Sequence, residues 1–206
     1  MIPVMPVPRR SFLKSAAAVC PALAGLLSFR PAWASESRLH LPPEAGQSDI
    51  APPAPTLHPV AAGQDRFGSP HSLGFSSLAF KVATSDANGN LFVIEHRGLQ
   101  PGAGPALHLH YSQEEWFYVM EGQVAFQVGD QRLSLRTGES VLAPRQIPHT
   151  FSAVGSAAHL LIAFTPACKM EQYFIDGAAH PSLAATEAFM NRYDMKWIGP
   201  SPFWKS

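Results

Sequence analysis

Apolar and polar residues alternate along the middle of the chain, between residues 75 and 164, in short stretches separated by turn-forming residues. Leu133 and Leu135, for example, alternate with polar neighbours, and a period of two is typical of a strand with one buried face. The pattern predicts short strands at 75–84, 91–95, 115–120, 123–128, 132–136, 140–143, 150–154 and 160–164. Short strands with frequent turns predict an all-β sandwich or closed barrel.

The pattern changes period near the C-terminus. Ser182 can cap a helix whose apolar residues share one stripe, so a helix is predicted over 181–193, with a further short helix at 170–175. The tail from 197 to 204 is rich in aromatic residues. Such a tail is expected to pack on the barrel or across a homodimer interface, because exposed apolar surface of this size is unfavourable.

The N-terminus has the features of an export signal. The twin-arginine stretch RRSFLK at residues 9–14 precedes an Ala-rich apolar stretch, residues 15–29, which is too short to cross a bilayer comfortably. Ala32, Trp33 and Ala34 have the small-x-small form of a signal-peptidase site. We therefore predict a Tat signal peptide over 1–34, the Tat machinery as export partner, and a periplasmic or secreted protein. The alternative is a short N-terminal membrane anchor.

Composition divides the rest of the chain. A proline-rich flexible arm is predicted over 35–62, a β-barrel over 63–168 and a helical extension over 169–206. The formal net charge is zero, which favours neither nucleic acid nor an anionic membrane surface as partner. Removal of Cys20 with the signal would leave Cys168 alone, so the mature chain would have no internal disulfide.

The candidate chemistry lies in the stretch from 102 to 122. His108 and His110 are one residue apart and would share a face of a strand, and Glu115 follows closely. Imidazole and carboxylate groups are ligands of divalent transition metals. Glu114 is the rival carboxylate, and Glu115 is preferred because it shares a strand face with apolar residues. His149, after an Ile-Pro turn, supplies a third imidazole.

These residues resemble the two motifs of the cupin family. The first motif is matched throughout, by Gly102, His108, His110, Glu115 and Gly122. The second motif is matched in part, by Gly138, Pro144 and His149. It departs at Gln146, where glycine is usual, and at Ala153, where asparagine is usual. The resemblance implies a small antiparallel jelly-roll barrel (a double-stranded β-helix). It also implies one divalent metal, Mn, Fe, Ni, Cu or Zn, held by His108, His110, Glu115 and His149.

A finer resemblance, to single-domain cupins related to quercetin dioxygenases, rests on residues 108–122, 143–149 and 164–166. It implies a dioxygenase for a small oxygen-rich aromatic, in which Glu115 takes a proton from the substrate. Phe117 and Phe151 would line an apolar cavity, and Arg145 is the arginine nearest the site in sequence. The alternatives are a cupin decarboxylase, isomerase or lyase for a small acid or sugar, and a non-catalytic binder of a metal or ligand. No role is predicted for the remaining histidines, His40, His58, His71, His96, His159 and His180.

Overall fold

Residues 57–204 are described by a computed structural model of the chain. The predicted signal peptide and most of the predicted arm lie outside these residues. The strands are β1 (His71–Ser72), β2 (Ser77–Val82), β3 (Phe92–Leu99), β4 (Leu107–His110), β5 (Glu114–Glu121), β6 (Gln123–Val128), β7 (Gln131–Arg136), β8 (Ser140–Ala143), β9 (His149–Ala153), β10 (Ala158–Thr165) and β11 (Met195–Gly199). The helices are α1 (Met170–Ala179), α2 (Pro181–Ala184) and α3 (Glu187–Met190).

The strands form two sheets whose neighbours all run antiparallel. One has the order β1-β2-β3-β10-β5-β8, and the other has the order β11-β4-β9-β6-β7. From β3 onward, successive strands lie in different sheets except for the β6–β7 pair, as in a double-stranded β-helix. The prediction of an all-β barrel with C-terminal helices is confirmed.

Phenylalanine rings dominate the space between the sheets. Five of these rings have at most 1% of their surface exposed: Phe80, Phe92, Phe117, Phe126 and Phe164. Phe80 and Phe92 meet edge to face with 5.0 Å between their ring centres. Burial of such a side chain contributes about 1.5–3 kcal/mol, so these rings supply much of the driving force for closing the barrel.

The predicted helix over 181–193 is wrong in extent. The segment forms the short helices α2 and α3 followed by a 3-10 turn, Asn191–Tyr193. Thr186 explains the interruption, because its hydroxyl accepts a hydrogen bond from the Phe189 N–H and so starts a new helix. Ser182 is not the cap of the first helix, since His180 occupies that position and Pro181 begins the helix. The predicted helix over 170–175 extends to Ala179.

The aromatic tail returns to the barrel as a strand that the sequence pattern did not predict. β11 pairs with β4, with Met195 opposite His110 and Trp197 opposite His108. The Tyr111 N–H donates to the Asp194 carbonyl at 3.0 Å, which closes the end of this pairing. The histidine strand is therefore bonded on both edges, by β9 and β11.

Nowhere in residues 57–204 does a helix combine the length and apolar character needed to cross a bilayer.

Candidate metal centre

The first two candidate ligands lie on β4, where burial alternates along the strand. His108 and His110 are buried, while Leu107 and Leu109 are only half-buried, so both imidazoles point between the sheets. Gly102 and Gly104, at φ +79° and +129°, turn the chain before this strand. A side chain on Gly104 would collide with the Phe151 carbonyl, so only glycine permits this close approach of the turn to β9.

The third imidazole comes from the neighbouring strand β9. His149 is paired in register with His108, which places the two side chains next to each other on the same face of the sheet. The turn before β9 contains Gln146 in the left-handed region, at φ +65°. Glycine is usual at this position because it adopts such angles without strain. The Gln146 N–H donates to the His110 carbonyl at 2.7 Å, so the turn is bonded directly to the histidine strand.

The carboxylate comes from β5, on the opposite sheet. Glu115 is buried on the inner face of β5, and Glu114 is on the outer face, where its two oxygens accept from the Arg145 guanidinium at 2.6 and 2.7 Å. The structure thus brings Glu115, and not Glu114, to the three histidines. Arg145, the arginine nearest in sequence, binds Glu114 and does not line the cavity described below.

The four side chains form one buried group, with the potential ligand atoms within 4.8 Å of one another. Glu115 Oε2 lies 3.0 Å from His110 Nε2 and 2.9 Å from His149 Nε2. Two ligand atoms that each lie about 2.1 Å from one metal, at right angles, are about 3 Å apart. The spacing of these atoms therefore suits a common divalent ion, and the buried group could hold one.

The second nitrogen of each ring is directed away from the group. His108 Nδ1 lies 2.8 Å from the Ala106 carbonyl, and His149 Nδ1 lies 2.9 Å from the Ile147 carbonyl. A carbonyl only accepts, so each Nδ1 carries the proton, which leaves the Nε2 lone pair for a metal. His149 Nε2 lies 2.9 Å from Glu115 Oε2, on the side of the ring where a metal would bind.

Gln113 contacts the remaining ring, that of His110, and no role was predicted for it from the sequence. Its side chain is buried, and its amide nitrogen lies 3.3 Å from His110 Nδ1, while its amide oxygen is buried with no partner among the described residues. The oxygen and nitrogen of a side-chain amide have nearly the same shape, so the Gln113 amide can be turned by 180°. Its oxygen then accepts a hydrogen bond from Nδ1–H of His110. His110 Nε2 is then free to bind a metal. No sequence pattern marks an orienting residue of this kind.

Burial and mutual contacts set the charges of the group. Burial lowers the pKa of His108 to about 3, and burial also lowers the pKa of His110. Burial alone would raise the pKa of the Glu115 carboxyl, but its close contacts with His110 and His149 outweigh burial and hold this pKa well below its usual value. At neutral pH, His108 and His110 are therefore uncharged and Glu115 is ionised, as metal ligands must be.

Comparison with known proteins agrees with this geometry. Residues 96–164 match the family described as Cupin domain, and the matched segment contains all four members of the buried group. These residues, about a third of the chain, are thus similar to a cupin domain. The predicted cupin fold is therefore confirmed, whereas the finer resemblance to quercetin dioxygenases stays a prediction.

Individual relatives of the cupin domain are distant. A curated relative, the uncharacterized protein MJ1618 of Methanocaldococcus jannaschii, is 27% identical over 55 residues, which are 27% of this chain and 44% of the relative. The chain thus spans less than half of that relative's length. KdgF from Halomonas sp. is 16% identical, with a TM-score of 0.47 over 54% of this chain and 94% of its own. An RmlC-like cupin from Shewanella frigidimarina is 20% identical, with a TM-score of 0.48 over 56% and 96%. No activity follows from these similarities.

A small cavity of about 40 Å³ adjoins the ligand group of the cupin domain. His108, His110 and Glu115 form part of its wall, and most of the other lining side chains are apolar, Phe151 among them. Phe117 does not line it, contrary to expectation, and packs against Phe126 and Phe151 with ring centres 5.1 and 5.2 Å apart. His96, for which the sequence analysis predicted no role, also lines the cavity. Its position depends on the pairing of β3, which spacing along the chain does not reveal.

We predict that His149→Ala abolishes tight metal binding and leaves the cupin barrel folded. Replacing a residue that only orients a metal ligand typically lowers metal affinity about 10- to 100-fold. Because this variant loses one of the four converging ligands themselves, we expect its affinity for Zn²⁺ to fall by more than that. Metal content after dialysis, measured by mass spectrometry, tests this. His58→Ala is the matched control because His58 contacts Asp86 and lies outside the group. Full metal occupancy in the His149 variant would remove this histidine from the ligand set.

Gln113→Leu is expected to weaken Zn²⁺ binding by about 10- to 100-fold, because His110 loses the acceptor that orients its ring. Titration against a competing chelator measures the affinity. Gln172→Leu is the matched control, because Gln172 lies on the exposed face of α1, and this variant should leave the affinity for Zn²⁺ unchanged. Equal affinities in the two variants would show that Gln113 does not orient His110.

Proposed function

We propose that this chain is a mononuclear-metal dioxygenase that acts on a small, uncharged, oxygen-rich aromatic compound. One observation carries the proposal: three members of the buried ligand group, His108, His110 and Glu115, form part of the wall of a cavity whose other lining is mostly apolar. Four protein ligands leave coordination positions free on a six-coordinate metal. Aromatic walls suit a flat apolar substrate, and the metal suits its oxygen atoms.

Each member of the group has a role in this proposal. His108, His110, His149 and Glu115 would hold the metal. A divalent metal bound there would act as a Lewis acid toward two adjacent substrate oxygens, which would take the positions that the four protein ligands leave free, and dioxygen would add to the activated carbon of the substrate. Glu115 is ionised and accepts the proton of a substrate hydroxyl at its carboxylate. The phenylalanines around the cavity keep bulk water away from the activated ring.

The lining of the cavity disfavours an acidic substrate. Within residues 57–204, neither lysine nor arginine is among the side chains that line it. A carboxylate that does not bind the metal would therefore be buried without a countercharge, which is unfavourable. This favours the dioxygenase over a cupin decarboxylase or isomerase for a small acid.

A second space gives the substrate room beyond the metal. It has a volume of about 260 Å³ and shares Leu73, Phe75, Pro105 and Tyr173 with the inner cavity. Its outer wall is formed by α2, the glycine turn before β4 and Trp204. Small-molecule sites usually measure about 300–1,000 Å³. Inner and outer spaces together therefore suit one aromatic ring whose oxygen-bearing edge is directed inward.

We predict that metal-loaded protein consumes dioxygen when supplied with a panel of catechols and flavonols. Glu115→Gln should lower the rate per bound metal by about 100-fold or more, because a positioned base contributes roughly 10²- to 10⁴-fold. Glu114→Gln is the matched control, since Glu114 is the adjacent residue on the outer face of the same strand. Its rate should stay within about twofold of the original, because a surface ion pair contributes little.

The outcomes separate the candidate functions. Absence of oxygen uptake with every member of the panel, in protein that is fully loaded with metal, would reject the dioxygenase. A non-catalytic binder would then be favoured if aromatic ligands still bind. Normal uptake by Glu115→Gln would reject the proposed base and leave the dioxygenase standing.

We also propose that the protein is exported in folded form through the Tat machinery to the periplasm or beyond. The support is the RRSFLK stretch and the small-x-small site that ends at Ala34. Replacing Arg9 and Arg10 by lysine should retain the protein, uncleaved, in the cytoplasm of a Tat-competent bacterium. Cell fractionation with mass measurement of the mature N-terminus tests this. Unchanged export and cleavage of the double variant would reject the Tat route.

A further inference from the structure

His96 is a buried histidine in the cavity that does not belong to the metal-ligand group. It lies on β3 with 3% of its surface exposed, and its ring centre is 5.7 Å from those of Phe75 and Phe151. It lines the same cavity as His108, His110 and Glu115. Tyr173 also lines the cavity, but its hydroxyl donates to the Ala184 carbonyl at 3.0 Å, so His96 is the more available polar side chain, beyond the ligands, for a molecule in this cavity.

One of its two ring nitrogens has a partner and the other has none. His96 Nε2 lies 2.9 Å from the Ser76 hydroxyl, whereas Nδ1 is buried with no hydrogen-bond partner among residues 57–204. A buried polar atom of this kind costs free energy unless a ligand or water satisfies it. Ser76 holds the ring at Nε2, which leaves Nδ1 as the nitrogen without a partner in a side chain that lines the cavity.

We propose that His96 Nδ1 forms a hydrogen bond with an uncharged oxygen of the substrate, beyond the two oxygens that bind the metal. The inference rests on the proposed function and adds a specificity-determining residue to it. His96 then selects a ring with a third oxygen next to its chelating pair.

The charge state of the ring defines what it recognises. Burial lowers the pKa of His96 to about 4, so the imidazole is neutral at physiological pH. A neutral imidazole pairs with a hydroxyl or a carbonyl but gives no countercharge to a carboxylate. Ser76 can donate to Nε2 or accept from it, because its hydroxyl rotates. Nδ1 can therefore be donor or acceptor, and a hydroxyl on the substrate satisfies it in both cases.

Binding of two related probes to zinc-loaded protein tests this without any turnover. Catechol carries the chelating pair of oxygens alone, and pyrogallol carries the third oxygen as well. We expect wild-type protein to bind pyrogallol about 3- to 10-fold more tightly than catechol by calorimetry, which corresponds to one hydrogen bond. His96→Leu should abolish this preference, and His96→Gln, which keeps a hydrogen-bonding group, should restore part of it.

His71→Leu is the matched control. His71 is a partly buried histidine, stacked on Phe80 with ring centres 4.2 Å apart, and it does not line the cavity. Its variant should keep the preference for pyrogallol. In addition, the ¹⁵N resonance of His96 Nδ1 in histidine-labelled zinc protein should shift more with pyrogallol than with catechol.

The results distinguish this inference from the proposed function. If both probes bind to wild type equally, and His96→Leu changes neither affinity, the role of His96 is overturned while the proposed function stands. If neither probe binds to zinc-loaded wild type, the proposed function fails, and the role of His96 fails with it. A preference that survives in His96→Leu would overturn the inference as well.

Discussion

The burial of three imidazoles and a carboxylate among phenylalanine rings is the constraint on which the rest of this structure depends. Each polar atom that leaves water needs a partner inside the protein. Nδ1 of His108 and Nδ1 of His149 each lie against the backbone carbonyl two residues earlier. Glu115 contacts Nε2 of His110 and Nε2 of His149. Since Glu115 and the histidines belong to different sheets, the same contacts that prepare a metal site also tie the two sheets together.

The C-terminal segment is part of the site and not only an addition to the barrel. β11 covers the free edge of the histidine strand, so that β4 is bonded on both sides. α1 provides Tyr173 and Phe174 to the inner cavity, and α2 forms part of the outer space. A strand of four residues with one open edge would hold its side chains loosely. The extension therefore gives the short histidine strand the rigidity that a preorganised metal site requires.

The candidate site was largely predictable because most of its information is local. Alternation along a strand places His108 with His110, and separates Glu115 from Glu114, without any knowledge of the fold. His149 came from the resemblance to the second cupin motif, and the left-handed angle of Gln146 shows that the usual glycine marks a backbone conformation, not a chemical group. His96 and Gln113 escaped notice because neither has a periodic or spaced relation to the ligands.

The sequence by itself determined most of the strand pattern, the shared face of His108 and His110 and the types of ligand, because these follow from a two-residue repeat and from the chemistry of the side chains. Only the tertiary structure decided which residues surround those ligands. The pairing of β11 with β4, the arrival of His96 in the metal cavity and the break at Thr186 all depend on contacts between distant segments. Such contacts are selected by packing and hydrogen bonding of the whole chain, which no local pattern contains.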